Sequence, residues 1–577
     1  MKRTGGPIVV RALEDEGVAF AFGIPGTHNI ELYDALSESD AVRTCLVTDE
    51  QSASFMADGV WRASGRLACV NVVPGAGLTH ALSGIAEAYL DGIPMLVLGC
   101  GIRRDTGQAF QLHDIDQQAL VAPVVKATYL PTTGQELYVM LRDACRLARS
   151  GPPGPVFVEV PANLYLFAHE VDFEAGAAGL TDAPVPAPDE ALLDRAAALL
   201  RGARRPLLYV GAGAVDASDD VVALAELLEA PVATTIQGKG VMPEDHPLFL
   251  WPGFGRMAPP FVREVTEGCD VTLAIGCRFS EVGTGSYGLE PPGRLIHGDI
   301  DADVLGRNHP ADVAIVSDAG LLLRALRDRL KDAGRPEDPA LRAQIARGHD
   351  GVWDAWLAKA GGDRVTPAHL IRTAQRVFGP DTVFTTDSGN GTFLAMECLR
   401  LDGPRRYLAP VDYSCMGYSV PAALGAKLGC PDAPVVALAG DGAFLMTGLE
   451  LLTAAREGLG VVVLVLRDRE LAQIAQFQAT AMNRKVDSRV PDYEVEHVAA
   501  AVGADFLRLD SDAHVEPVLN EAAGIAAEGR PVLVDVAIDY TEKTWFTRGV
   551  VSANLHRLPL KDRLRFVGRA VVRKVTG

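Results

Sequence analysis

Short apolar runs alternate with longer helix-like stretches along most of the chain. Residues 68–73 and 95–98 are apolar runs of strand length, and residues 206–210, 383–386 and 461–466 repeat the pattern further on. Buried strands that alternate with helices are typical of parallel sheets covered by helices on both faces. The pattern therefore predicts an α/β fold with doubly wound parallel sheets.

Two polar, proline-containing segments divide this pattern into three parts. Residues 175–189 have the composition of a linker, and residues 331–339 form a second such segment. A length of 577 residues also suits about three domains of roughly 100–200 residues each. We predict an N-terminal domain over residues 1–175, a central domain over 190–330, a C-terminal domain over 360–545 and a tail over 546–577.

Composition excludes several classes of partner. The net charge of −20 would repel a phosphate backbone, so nucleic acid is not expected as a partner. The chain has no apolar run near 20 residues and no signal-peptide core at its start, which predicts no membrane partner and a cytoplasmic location. The nine cysteines include no CxxC pair and are expected to be reduced and buried.

A glycine turn follows the apolar run at residues 434–439. Gly440, Asp441 and Gly442 lead from this run into an amphipathic stretch, so the order is strand, turn, helix. Glycines let backbone N–H groups approach a phosphate, and Asp441 can bind a Mg²⁺ that bridges to it. A tight turn uses the same residues without any ligand, so the motif alone is weak. The next apolar run delivers Asp468 to the same sheet edge, where two carboxylates can share one hard cation.

This arrangement resembles the thiamine diphosphate (ThDP) signature of the acetolactate synthase and pyruvate decarboxylase superfamily. The resemblance implies three ThDP-fold domains: pyrimidine-binding, central and diphosphate-binding. It also implies two cofactors, ThDP and Mg²⁺. Most members carry Asn-Asn where this chain has Arg467-Asp468, whereas catabolic acetolactate synthases also carry Asp. By resemblance the metal ligands are Asp441, Asp468 and the backbone carbonyl of Glu470. The implied cofactor contacts in the turn are Gly440, Asp441, Gly442 and Ala443.

Glu50 stands at the start of a predicted helix in the N-terminal domain. The uncharged residues Ala53, Met56, Ala57 and Val60 mark one face of this helix. An acidic side chain at the start of a helix is also favourable without any ligand, because it interacts with the helix dipole. The segment also resembles the HEQ…A…MADGYARATG stretch of acetolactate synthases. In that family the glutamate bonds the aminopyrimidine ring of the cofactor, so the resemblance assigns Glu50 to cofactor activation.

Two further segments resemble cofactor-binding segments of the same family. Met416 lies in SCMGY, similar to GTMGFG, where an apolar side chain supports the bent cofactor. Gly389 and Asn390 lie in DSGNG, similar to the DVGQH loop, although Gly391 replaces its histidine. Gly75 is a further predicted cofactor contact.

The substrate pocket is predicted from two loops. His28 follows Gly23–Thr27, which resembles the FGxPG loop, although the same residues also suit a simple turn. Gln111 ends AFQ, similar to the AFQE segment that lines the substrate pocket. His113 departs from that segment and is either a proton donor or a capping side chain. The predicted catalytic residues are therefore Glu50, His28, Gln111 and His113.

The central domain raises the question of a flavin. Residues 234–247, 274–279 and 296–301 resemble acetolactate synthase, and FAD binds this domain in some relatives. Flavin contacts there match residues 253–255 and Arg278. Three features point instead to flavin-free catabolic enzymes: the altered sequence near residue 251, the acid Asp468, and the pair Asn483-Arg484. FAD is thus possible but not favoured.

The resemblance implies decarboxylation of a small-molecule 2-keto acid, pyruvate by default, with carboligation of the enamine to a second carbonyl. One alternative is a decarboxylase that releases an aldehyde. Another is an inactive regulatory or scaffold relative. In this superfamily the pyrimidine-binding domain of one subunit meets the diphosphate-binding domain of another, so a homodimer or homotetramer with active sites at the subunit interface is expected.

Overall fold

Three six-stranded parallel sheets form the computed structural model of this chain. The structure describes residues 1–178, 180–181, 183–557, 559–563, 565 and 568. A short antiparallel pair, Lys2–Thr4 with Ala168–Glu170, joins the two ends of the first unit. The predicted α/β class with three parallel-sheet units is confirmed.

The first sheet is formed by N-terminal residues. Its strands, in spatial order, are Arg43–Leu46, Phe20–Gly23, Ala68–Val72, Met95–Gly101, Pro155–Pro161 and Thr128–Tyr129. Its helices are Gly5–Asp15, Ile30–Ser37, Glu50–Ser64, Ala76–Asp91, Gln117–Val121, Gly134–Arg149, Ala162–Leu166 and Phe173–Ala178, with a 3₁₀ turn at Ala122–Val124. The strands Ala68–Val72 and Met95–Gly101 are buried at every residue, which explains their continuous apolar runs.

The second sheet is formed by the central residues. Its strands, in spatial order, are Phe249–Pro252, Val232–Thr234, Pro206–Val210, Val271–Ile275, Arg294–Asp299 and Val313–Val316. Its helices are Glu190–Gly202, Ser218–Leu228, Pro260–Glu267 and Ala319–Leu330, with 3₁₀ segments Ala212–Ala217, Gly255–Met257 and Lys331–Ala333. The helix Pro339–Leu357 follows. It lies between the predicted end of the central domain at residue 330 and the predicted start of the C-terminal domain at residue 360.

The third sheet lies in the C-terminal part. Its strands, in spatial order, are Tyr407–Leu408, Val383–Thr386, Val435–Gly440, Val462–Leu466, Val532–Val536 and Asp505–Leu509. Its helices are Pro367–Phe378, Asn390–Cys398, Ser419–Gly429, Asp441–Thr447, Leu451–Glu457, Ala472–Met482, Val495–Val502 and Val515–Ala527, with 3₁₀ turns Gly448–Glu450 and Asp512–His514. The helix Trp545–Arg557 runs into the predicted tail. Tail residues 558, 564, 566–567 and 569–577, like 179 and 182 of the first linker, lie outside the described residues.

The first and third units pack together through two helices with small residues at their contact. A Cβ atom on Gly59 would lie 2.9 Å from the Ala422 Cα, and one on Gly425 would lie 2.9 Å from the Met56 Cα. Only glycine permits the helices Glu50–Ser64 and Ser419–Gly429 to approach this closely. The contact places the helix that begins at Glu50 beside the loop that carries Met416.

Two composition-based expectations can be compared with the structure. None of the nine cysteines forms a disulfide, and seven of them are buried. Over the described residues, no helix has both the length and the apolar content needed to cross a membrane.

Candidate active site

The turn at Gly440–Gly442 lies where a buried strand passes into a helix. Strand Val435–Gly440 ends at the turn, and helix Asp441–Thr447 begins within it, so Ala443 lies in the first helical turn. The Asp441 carboxylate accepts backbone N–H groups from Gly442 at 2.8 Å and from Arg469 at 2.7 Å. These two bonds fix the carboxylate between the ends of two neighbouring strands.

Asp468 follows the neighbouring strand. Leu466 pairs with Gly440 in parallel register, so the two acids leave the sheet at the same edge. Burial, with a smaller effect of the Asp441 carboxylate, raises the pKa of Asp468 to about 7. Burial also raises the pKa of Asp441. A buried and a half-buried carboxylate at one sheet edge, where Asp441 disfavours the charge of Asp468, suit a hard divalent cation such as Mg²⁺.

Glu470 completes the predicted metal loop. Its backbone N–H donates to Asp468 Oδ1 at 3.2 Å, and its own carboxylate pairs with Lys485 at 2.5 Å. The resemblance assigns the metal contact to the backbone carbonyl of this residue, and that assignment stays a prediction.

Met416 lies against the glycine turn. Its terminal methyl lies 3.8 Å from the position that a Cβ on Gly442 would occupy. The Met416 loop is held by Asp387, whose carboxylate accepts Gly417 N at 2.9 Å, Ser419 N at 3.0 Å and Ser419 Oγ at 2.8 Å. Burial raises the pKa of Asp387 to about 6. The sequence offered one signal for this role, an acid directly after strand Val383–Thr386, and our prediction did not use it.

Gly389 and Asn390 border the same loop. Gly389 precedes helix Asn390–Cys398 with φ 134°, a left-handed value that favours glycine. The Ser388 hydroxyl lies 2.9 Å from the Ser414 hydroxyl, and Ser414 is two residues before Met416. The structure thus brings the predicted residues 389, 390, 416 and 440–443 to one end of the third sheet.

Glu50 begins helix Glu50–Ser64, with Asp49 as the N-cap that accepts Gln51 N at 2.7 Å. The Glu50 side chain is buried, and its Oε2 lies 3.3 Å from Nδ1 of the more exposed His80. A Cβ on Gly77 would lie 3.1 Å from Glu50 Oε1, so this glycine leaves room beside the carboxyl group. His80 was missed from sequence because its partner is 30 residues away along the chain.

Gly75, His28 and His113 form a second group. Gly75 has φ 62° before helix Ala76–Asp91, and a Cβ there would lie 3.0 Å from the His113 carbonyl oxygen. The His113 Nδ1 donates to the Pro74 carbonyl at 2.7 Å, which leaves Nε2 of the neutral ring as an acceptor. The rings of His28 and His113 are 5.5 Å apart, and burial, with a smaller effect of His113, lowers the pKa of His28.

The Gln111 amide is not joined to this histidine pair. Its Nε2 donates to the carbonyl oxygens of Arg103 at 2.9 Å and Gln108 at 3.2 Å. Phe110 beside it is fully exposed in this chain. The structure therefore shows Gln111 bracing its own loop, and its contact with substrate stays a prediction.

A large cavity lies between the three sheets, away from these residues. Its volume is about 960 Å³, and it opens at the carboxyl ends of strands Pro206–Val210 and Val271–Ile275. These two strands are neighbours at the point where strand order reverses, a common place for ligands in open α/β sheets. Arg278 lines it, but its guanidinium also donates to Asp412 at 2.7 Å and to the Leu90 carbonyl.

Comparison with known proteins agrees with this architecture. The N-terminal TPP binding domain of thiamine pyrophosphate enzymes matches residues 3–120, their central domain matches 193–326, and their C-terminal TPP binding domain matches 387–536. The chain is 31% identical to an acetolactate synthase large subunit of Corynebacterium glutamicum, over 94% of this chain and 88% of the relative. It is 30% identical to the acetolactate synthase isozyme 1 large subunit of Escherichia coli K12, over 94% of this chain and 95% of the relative.

Proposed function

Because this chain belongs to the thiamine pyrophosphate enzymes of the acetolactate synthase type, we propose that it decarboxylates a 2-keto acid and joins the remaining fragment to a second carbonyl. Pyruvate is the default substrate for both roles. The observation that carries this proposal is the convergence of Asp441, Asp468 and Met416 at one end of the third sheet.

Each site residue has a defined part in this proposal. Bound ThDP would supply a nucleophilic carbon and a thiazolium ring that accepts the negative charge left when CO₂ departs. Asp441 and Asp468 would hold Mg²⁺ on the diphosphate, and Met416 would pack against the cofactor. Glu50 would bond the pyrimidine ring and exchange a proton at its carboxyl group.

One observation favours the second candidate, a decarboxylase that releases an aldehyde. The rings of His28 and His113 lie 5.5 Å apart, and a protonated imidazole is a proton donor. A histidine that delivers a proton to the decarboxylated fragment would end the reaction before a second carbonyl can react. Exclusion of such protons would favour ligation.

Product analysis separates the two candidates. The purified protein with ThDP and Mg²⁺, and without flavin, is incubated with a panel of 2-keto acids, and products are identified by mass spectrometry. We expect acetolactate or another 2-hydroxyketone, and an aldehyde alone would favour the decarboxylase. Absence of CO₂ release from every acid would contradict both and favour an inactive relative.

In His113→Gln, a shift from aldehyde toward ligation product would assign proton delivery to the pair.

We also propose that the reaction needs no flavin. Arg278, which the resemblance linked to flavin, is engaged by Asp412 and the Leu90 carbonyl in a contact between units. The 960 Å³ cavity is large enough for a nucleotide-sized group. Activity in the flavin-free assay described above therefore tests the proposal. Activity that appears only after FAD is added would contradict the proposal.

We propose that two copies of this chain form the active unit. Four large apolar side chains just after the glycine turn are at least 46% exposed in the single chain: Leu445, Met446, Leu449 and Leu452. This group, the 445–452 face, lies in and just after the helix that begins at Asp441, and exposed apolar clusters of this kind mark interfaces. A second copy that covers the face would bring its own Glu50 toward this diphosphate site.

A charge on the 445–452 face is expected to separate the two copies. Leu449→Glu replaces an apolar side chain of the proposed interface by a carboxylate. The interface then loses the roughly 1.5–3 kcal/mol that burial of the leucine side chain would contribute. We expect a monomer by light scattering and a loss of turnover of about 100-fold or more, because neither copy then holds a complete site. Leu357→Glu, the same change at an exposed leucine of helix Pro339–Leu357, is the matched control and should stay associated and active. An associated, active Leu449→Glu protein would contradict the proposed interface.

A further inference from the structure

Glu450 is a fully buried acid that joins the first and third units. It ends the 3₁₀ turn Gly448–Glu450, which directly follows helix Asp441–Thr447. Its carboxylate accepts the Thr48 backbone N–H at 3.1 and 3.2 Å and the Thr48 hydroxyl at 2.6 Å. The Thr453 hydroxyl donates to its other side at 2.6 Å. Hydroxyl and amide donors thus surround this charge.

Thr48 lies at the corner that precedes Glu50. Strand Arg43–Leu46 ends just before it, and helix Glu50–Ser64 begins two residues after it. The single residue between them, Asp49, is extended, with φ −155° and ψ 140°. Consecutive Cα atoms are held about 3.8 Å apart, and only one residue separates Thr48 from Glu50. A displacement of Thr48 therefore also displaces Glu50. The Thr48–Glu450 bonds therefore set where the first turn of the helix begins.

A buried carboxylate is a poor choice if stability is its only purpose. Burial raises the pKa of Glu450, while hydrogen bonds from Thr453 and Thr48 lower it. Replacing buried polar groups by apolar residues of similar volume is often neutral or stabilising, whereas directed hydrogen bonds hold neighbours in one geometry. A contact of this kind suits a part of the chain whose position matters more than its stability.

We propose that Glu450 is a positioning residue for Glu50. It holds the Thr48 corner so that the Glu50 carboxyl group points in one direction, and it joins that corner to the helix that starts at Asp441. This inference rests on the proposed function, in which Glu50 acts on the cofactor.

Two matched variants test the inference. Thr48→Val and Thr453→Val each remove one hydroxyl donor from the same carboxylate with no large change of shape, and Thr453→Val also removes a longer contact, of 3.2 Å, to the Leu46 carbonyl. We expect Thr48→Val to lower kcat about 10- to 100-fold with little change in KM, because small misplacements of a reacting group are costly. Thr453→Val should lower thermal stability and leave kcat within about threefold of wild type, since its partner acid still binds Thr48.

A measurement without cofactor separates positioning from activity. Amide hydrogen exchange over residues 47–52 of the cofactor-free protein should be faster in Thr48→Val than in Thr453→Val. Thr48→Ser, which keeps the hydroxyl, should restore both exchange and kcat. Glu450→Gln keeps one acceptor oxygen and should give an intermediate kcat, which provides a second measure if Thr48→Val folds poorly.

The outcomes distinguish this inference from the function on which it rests. Equal kcat and equal exchange in Thr48→Val and Thr453→Val would overturn the positioning role. Loss of turnover in Glu50→Gln with wild-type kcat in Thr48→Val would overturn the positioning role alone. Wild-type turnover in Glu50→Gln would instead overturn the proposed function.

Discussion

Glu50→Gln is expected to lower kcat by about 100- to 10,000-fold, the range over which proton transfer by a positioned side chain contributes. The amide keeps the shape of the buried side chain and its place at the start of helix Glu50–Ser64, so the fold should be unchanged. It cannot exchange a proton as a carboxyl group does. Steady-state kinetics with the best 2-keto acid measure the loss, and calorimetric titration should show that ThDP still binds.

The neighbouring acid provides a matched control. Asp49→Asn makes the same change of carboxylate to amide one residue earlier, at the N-cap that accepts Gln51 N. Asn is as good an N-cap as Asp, so stability should be nearly unchanged and kcat should stay within about threefold of wild type. Similar kcat values in the Glu50 and Asp49 variants would remove the case for cofactor activation by Glu50.

Asp441→Asn is expected to weaken Mg²⁺-dependent ThDP binding by about 100-fold, since loss of a group that only orients a metal ligand already costs about 10–100-fold in metal affinity or activity. The amide oxygen can still accept one of the two backbone N–H bonds that hold the turn, but the cation loses a negative ligand. Asp468→Asn should cost less, about 10-fold, because Asp441 then becomes the one charged ligand and its repulsion with Asp468 is gone.

Titration of ThDP at several Mg²⁺ concentrations measures both variants. Removal of Mg²⁺ with a chelator should abolish activity of the wild type, and added Mg²⁺ should restore it. Asp432→Asn, at an exposed acid before the opposite end of strand Val435–Gly440, should bind ThDP as the wild type does. Unchanged affinity in Asp441→Asn would show that the metal lies elsewhere.

Local patterns were sufficient for the sheet architecture and for part of the site. Buried parallel strands need continuous apolar runs, and such runs gave the strands Val383–Thr386 and Pro206–Val210 at their observed limits. Parallel strands also end at one sheet edge, so Asp441 and Asp468 could be paired from sequence. The helix Pro339–Leu357 directly follows the second proline-containing segment, in residues that the predicted limits assign to no domain.

The sequence by itself determined the α/β class, the three-part order and the acids at the ends of two strands, because these follow from short-range periodicity. Only the tertiary structure decided that Asp387 holds the Met416 loop, that His28 faces His113, and that Glu450 binds Thr48. Each of these contacts joins residues from separate loops or units. No repeat along the chain encodes such a pairing, because it depends on how the helices and sheets pack.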